Sequence, residues 1–146
     1  APATGETVYA AKGDGCWYTS PNAKPEQAHV SKVASLKEGL LLTSEIESFK
    51  QHQTPGAYEY FQRLQSTARL ARTWGDGYGY LMVATGRAEV MIDPVMKIWD
   101  AAPLQTVIEE AGGSFTDWRG NPTIRAGESI ATNGLVTAEV LASART

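Results

Sequence analysis

The stretch from Glu89 to Thr132 constrains the fold more than any other, because strands and a helix alternate in it and each carries its own stop signal. Val90-Met91-Ile92 is a short apolar run ended by Asp93-Pro94, and proline lacks the amide that a continuing strand would need. A helix is expected over 101–111, where Leu104, Val107, Ile108 and Ala111 recur at i, i+3, i+4 and i+7 as one core stripe. Pro103 suits a first turn, whose amides have no partner within the helix. Gly112-Gly113 supplies the stop and Ser114-Phe115-Thr116 begins a second strand. After a turn at Asn121-Pro122, Ser129-Ile130-Ala131-Thr132 forms a third. Strands that alternate with helices bury both only in layers, so the chain reads as an α/β domain.

The rest of the chain supports that reading. Thr7-Val8-Tyr9-Ala10-Ala11 and Cys16-Trp17-Tyr18-Thr19 flank Lys12-Gly13-Asp14-Gly15, a Gly-rich turn between β-branched and aromatic runs that predicts a hairpin. Residues 20–27 are expected to form a loop and His29-Val30-Ser31 a short edge strand. Leu40-Leu41-Leu42-Thr43 reads as a buried strand, and Ser44 with Glu47 three residues later predicts a capping box. Tyr58, Phe61, Leu64, Gln65 and Ala68 place a helix over about 55–67, followed by a strand over 69–73. A helix over 80–85 is stopped by Gly86, and 135–142 is the closing helix.

At 146 residues the chain can bury a core without disulfides or a structural metal. A net charge of −3 argues against nucleic acid, whose binding needs a basic face. No apolar run approaches the ~20 residues of a membrane span, so no membrane partner is expected. The single cysteine, Cys16, has no internal disulfide partner, which fits a reducing compartment and a cytoplasmic location. The chain starts at Ala1 and enters a strand almost at once, which suggests a trimmed or cut piece.

Three groups of residues can carry chemistry. Asp100 follows Trp99 at a strand-to-helix junction. As an N-cap it would contribute about 1 kcal/mol; at the carboxyl end of a strand it would instead face a ligand crevice and could hold a hard cation such as magnesium. Asp93 is either a plain turn carboxylate or, if its strand neighbours the one feeding Asp100, a second acid in that crevice. Gly75, Gly77 and Gly79 alternate around Asp76 and Tyr78 at the start of a helix, without the G-x-G-x-x-G spacing of a dinucleotide site. They serve either close helix packing or close backbone approach to a small ligand. His29 and His52 are expected at the surface, and Cys16 in packing.

Trp99-Asp100-Ala101-Ala102-Pro103, continuing to Glu110-Ala111-Gly112-Gly113, resembles the C-terminal signature of the inositol monophosphatase family, W-D-x-A-A/G followed by E-A-G-G. Gly5-Glu6-Thr7-Val8-Tyr9, Val83-Ala84-Thr85-Gly86 and Ala131-Thr132-Asn133-Gly134 extend the resemblance over nearly the whole chain. Arg72-Thr73-Trp74-Gly75-Asp76-Gly77-Tyr78-Gly79, Asp93-Pro94 and Thr116-Asp117-Trp118-Arg119-Gly120 are most similar to the histidinol-phosphate phosphatase branch. Inositol phosphatases are less aromatic in the first stretch and carry glutamate in place of Asp93.

The resemblance implies a layered α-β-α domain over 39–146, with a mixed sheet flanked by helices in a sugar-phosphatase-like fold. Residues 1–38 would be a hairpin and linker belonging to a sheet of the family's N-terminal half. It implies magnesium-dependent hydrolysis of a small phosphorylated metabolite by metal-activated water. Histidinol phosphate, in histidine biosynthesis, is the first substrate expected and inositol 1-phosphate the alternative. Asp100 would be the catalytic metal ligand near the leaving-group oxygen, Gly75, Asp76 and Gly77 would line the substrate, and Asp93 would contact its polar body. Asp76 and Asp93 would suit a cationic amine or imidazole.

The family's other metal ligands, in a G-E-E and a D-P-x-D-G-T segment, do not occur in the sequence. Asp93-Pro94-Val95-Met96 lacks the second aspartate and the Gly-Thr. One carboxylate cannot build a near-octahedral magnesium site, so the chain alone is expected to be inactive. It is expected to be the C-terminal portion of a phosphatase that is a homodimer at full length. The alternative from another class is a noncatalytic binding module that has lost its metal site.

Overall fold

The computed structural model describes residues 1–144. Strands β1 (Thr7–Ala10) and β2 (Cys16–Thr19) pair antiparallel about a turn in which Gly13 and Gly15 both take positive φ, the conformation for which glycine is suited. A two-residue strand, β3 (Glu26–Gln27), adds to β2 and gives the order β1-β2-β3. The edge strand therefore lies inside 20–27, the expected loop, and not at His29-Val30-Ser31. Val30 is committed elsewhere, its amide donating to the Ala111 carbonyl at 3.0 Å.

The second sheet holds β4 (Leu40–Thr43), β5 (Leu70–Thr73), β6 (Val90–Asp93), β7 (Ser114–Thr116) and β8 (Ser129–Thr132) in the order β5-β4-β6-β8-β7. β4 runs parallel to β5 and β6, while β8 is antiparallel to β6 and β7, so the sheet is mixed as expected. All four residues of β6 and of β8 are buried, the pattern of strands covered on both faces. Alternation along the strands divides the core. Leu41, Val90, Ile92 and Ile130 join Phe49, Phe61, Leu64 and Val140 on one side; Leu42, Met91 and Ala131 join Tyr80, Val83, Ile108 and Phe115 on the other.

The first side is covered by α1 (Glu47–Lys50), α2 (Ala57–Thr67) and α5 (Thr137–Ala142), the second by α3 (Gly77–Ala84) and α4 (Ile98–Glu110). The three-stranded sheet packs outside α3 and α4, with Val8, Ala10 and Tyr18 against their core. Two carboxylates fasten it there. Glu110, at the end of α4, accepts the amides of Gly13 and Gly15 at 2.8 and 2.9 Å. Glu6, 7% exposed, accepts the phenols of Tyr18 and Tyr78 at 2.8 and 2.9 Å and pairs with Arg87 at 2.8 Å.

Three local expectations change. The capping box at Ser44 and Glu47 does not form; α1 starts after Ile46 without a side-chain cap, because the Ser44 hydroxyl is engaged by another segment. Helix α3 begins at Gly77 and α4 at Ile98, each three residues before its expected start, since the apolar stripe marks the body of a helix and not its first turn. His52 is half-buried, its ring 4.6 Å from that of Trp118, whereas His29 is exposed.

Candidate active site

Strands β4, β5 and β6 are parallel, so their carboxyl ends open on one side of the sheet, the usual place for a ligand crevice in such an architecture. Ser44 follows β4, Asp76 ends the loop from β5 into α3, and Asp93 closes β6. The chain then crosses 94–97 into α4, so one strand feeds both Asp93 and Asp100, where the sequence reading allowed for two. Asp76, Gly77, Asp93 and Asp100 line one cleft of about 570 Å³, together with Ser44 and Trp99. Gly75 is not among the lining residues.

The two candidate aspartates flanking the helix starts differ in freedom. Asp100, exposed, is the third residue of α4; one carboxylate oxygen accepts the Lys97 amide at 3.1 Å, so it ties down the first turn while facing the cleft. Asp76, also exposed, precedes α3 with φ +52° and ψ −143° and makes no side-chain cap. Its backbone is held instead through its amide, which donates to the Ser44 hydroxyl at 3.1 Å.

Asp93 is 3% exposed and tightly held. Oδ1 accepts the Ser44 amide at 2.9 Å and Oδ2 the Tyr80 phenol at 2.9 Å. Tyr80 is buried, and its oxygen lies 2.6 Å from Ser129 Oγ; with its single proton given to Asp93, it must accept from Ser129. Burial pushes the Asp93 carboxyl above its ordinary range and the Asp76 charge adds to this, against hydrogen bonds from Ser44 and Tyr80 that pull it down. The Tyr80 phenol is driven well above its ordinary value by burial and by Asp93.

The glycines separate by role. A Cβ at Gly79 would collide with the Met91 sulfur, so Gly79 serves close helix-to-sheet packing; at Gly75 or Gly77 it would meet nothing within 4 Å. Ser44 and Tyr80 escaped the sequence reading. Ser44 carried a signal, its place directly after a buried strand, but was assigned to a helix cap; Tyr80 looked like one more apolar helical residue. Cys16 is a packing residue as expected, buried and with its thiol pushed up by that burial.

A magnesium ion needs about six oxygens in near-octahedral array. Among the described residues no group of three or more His, Cys, Asp or Glu is placed to hold a metal. Asp100 and Asp76 bring exposed carboxylates to the cleft, but these residues alone do not make the site.

The whole sequence, residues 1–146, matches the model of the inositol monophosphatase family. It is 36% identical over 141 residues to the histidinol-phosphatase of Mycobacterium tuberculosis, covering 97% of this chain and 53% of that protein. Against the histidinol-phosphatase of Chlorobaculum parvum the identity is 37% over 129 residues, 88% of this chain and 47% of the relative. Among solved structures, Mycobacterium tuberculosis SuhB superposes with a TM-score of 0.78 at 22% identity, over 98% of this chain and 55% of that one. The chain thus spans about half the length of the curated relatives it matches.

Proposed function

The chain belongs to the inositol monophosphatase family, and from that premise we propose that it is the C-terminal portion of a magnesium-dependent phosphatase acting on a small phosphate monoester, histidinol phosphate. The observation that supports this reading is the composition of the cleft. Asp76, Asp93 and Asp100 line it, and no lysine, arginine or histidine is among its described lining residues. A negative cleft attracts a metal ion and the cationic end of a substrate, whereas a neutral polyol gains little from it. The relatives named histidinol-phosphatase point the same way.

Asp76, exposed and free of a cap, binds an amine or imidazolium directly; Asp93, buried and fixed, supplies a second charge at a set distance. Trp99, 72% exposed, offers an aromatic face to the same cation. Asp100 contributes one carboxylate to magnesium, which when bound would supply charge neutralisation at the phosphate and activation of water. The remaining ligands come from outside this chain. The cytoplasm and histidine biosynthesis follow from that substrate as parts of the same proposal.

The test is phosphate release by the full-length protein from histidinol phosphate and from inositol 1-phosphate, with magnesium and with EDTA. The expected result is magnesium-dependent release with a clear preference for histidinol phosphate. Preference for inositol 1-phosphate would reassign the substrate, and no release from either would favour a noncatalytic module.

A further inference from the structure

Asp76 is held in a backbone conformation that its neighbours would adopt more readily. At φ +52° and ψ −143° it occupies a region that suits glycine, and it stands between Gly75 and Gly77. Apart from Asn22 it is the only residue other than glycine with positive φ among those described. Strain at a cleft-lining carboxylate persists only if something else holds the segment in place.

Ser44 is positioned to do so. Its hydroxyl oxygen accepts the Asp76 amide at 3.1 Å, and its own amide donates to Asp93 Oδ1 at 2.9 Å. On its far side Asp93 is fixed by Tyr80. Ser44 follows β4, whereas Asp76 and Asp93 come from the ends of its neighbours β5 and β6, so one residue, holding Asp76 through its hydroxyl and Asp93 through its amide, links two carboxylates carried by separate strands.

We propose that Ser44 is a positioning residue that fixes the Asp76 backbone and the Asp93 carboxylate in one relation, and so tunes recognition of the substrate's cationic end without taking part at phosphorus. The inference rests on the proposed role of Asp76 and Asp93 for its kinetic consequence, but not for its structural one.

The experiment is a double-mutant cycle of Ser44→Ala and Asp76→Gly in the full-length protein, with Ser44→Thr as the conservative variant. Melting temperatures are read without substrate. Asp76→Gly is expected to raise the melting temperature when Ser44 is present and to gain less than half as much when residue 44 is alanine, where the segment is free to relax. Additive shifts would overturn the proposal. In kinetics with histidinol phosphate, Ser44→Ala should raise KM about five- to tenfold with kcat within twofold, and Ser44→Thr should restore most of it. A fall in kcat at unchanged KM would also overturn it. If the wild type shows no preference for the cationic substrate, the functional reading fails while the melting-temperature cycle still decides the role of Ser44.

Discussion

Asp93 combines the burial of a core aliphatic with the hydrogen bonding of a site residue, and both bear on what its charge does. Its folded pKa lies above the unfolded value of 3.8 because burial outweighs the bonds from Ser44 and Tyr80. As pH rises the unfolded carboxyl ionises first, so the group's contribution to stability is present below 3.8 and is lost as pH climbs through the raised folded value. An asparagine fits the same space: its oxygen accepts the Ser44 amide, and its NH₂ donates to the Tyr80 oxygen, which then turns its proton to Ser129. Asp93→Asn should therefore fold, and its melting temperature should rise relative to wild type between pH 4 and pH 8. It should also raise KM for histidinol phosphate several-fold, because a charge that acts on the substrate's cation across the cleft is removed. Thermal melts across that range and steady-state kinetics check both halves, and an unchanged kcat/KM would remove Asp93 from the binding site. That Asp93, Asp76 and Asp100 share a crevice was legible from their places at strand and helix ends. That both oxygens of Asp93 are engaged was not, because Ser44, Tyr80 and Ser129 lie 49, 13 and 36 residues away and each has an ordinary local explanation.

Among the elements, helices and strands announced themselves where apolar spacing was regular, and only their first turns and one edge strand were misplaced. The start of α3 is Gly77-Tyr78-Gly79, two glycines that carry little helical signal. What secures this start is Glu6, through Tyr78 and Arg87, while Tyr18 ties the same carboxylate to β2. Burial pushes the Glu6 carboxyl up, but hydrogen bonds from Thr4, Tyr18, Tyr78 and Arg87 prevail and bring it from 4.5 down to about 2. Since the folded value is the lower one, this stabilisation is complete above 4.5 and disappears as pH falls through about 2. Glu6→Gln should lower the melting temperature by a few degrees at pH 7, and the gap from wild type should close as the solution is acidified through that window. A gap independent of pH would mean that the glutamate acts by packing alone. No sequence pattern could have assigned Glu6 this task, because two of its partners lie 12 and 72 residues away.

At the scale of the molecule, the layered α/β plan followed from alternation and from family resemblance together. The order β5-β4-β6-β8-β7 did not, because short apolar strands do not encode which neighbour they take. The cleft is left with exposed apolar residues, Trp99 at 72% and Val95 at 60%, and with too few carboxylates to hold magnesium. These 146 residues expressed by themselves are expected to release no phosphate from histidinol phosphate at any magnesium concentration. Turnover by the isolated chain would mean that Asp76 and Asp100 suffice. The Glu110 carboxylate, which grips the amides of Gly13 and Gly15 across 97 and 95 residues of sequence, carries a different consequence. Those amides can trade their protons for deuterium only when the Glu110 carboxylate lets go. The hairpin tip, by position the most frayable part of its sheet, is thus expected to exchange more slowly than an unanchored turn, as amide exchange at Gly13 and Gly15 would read.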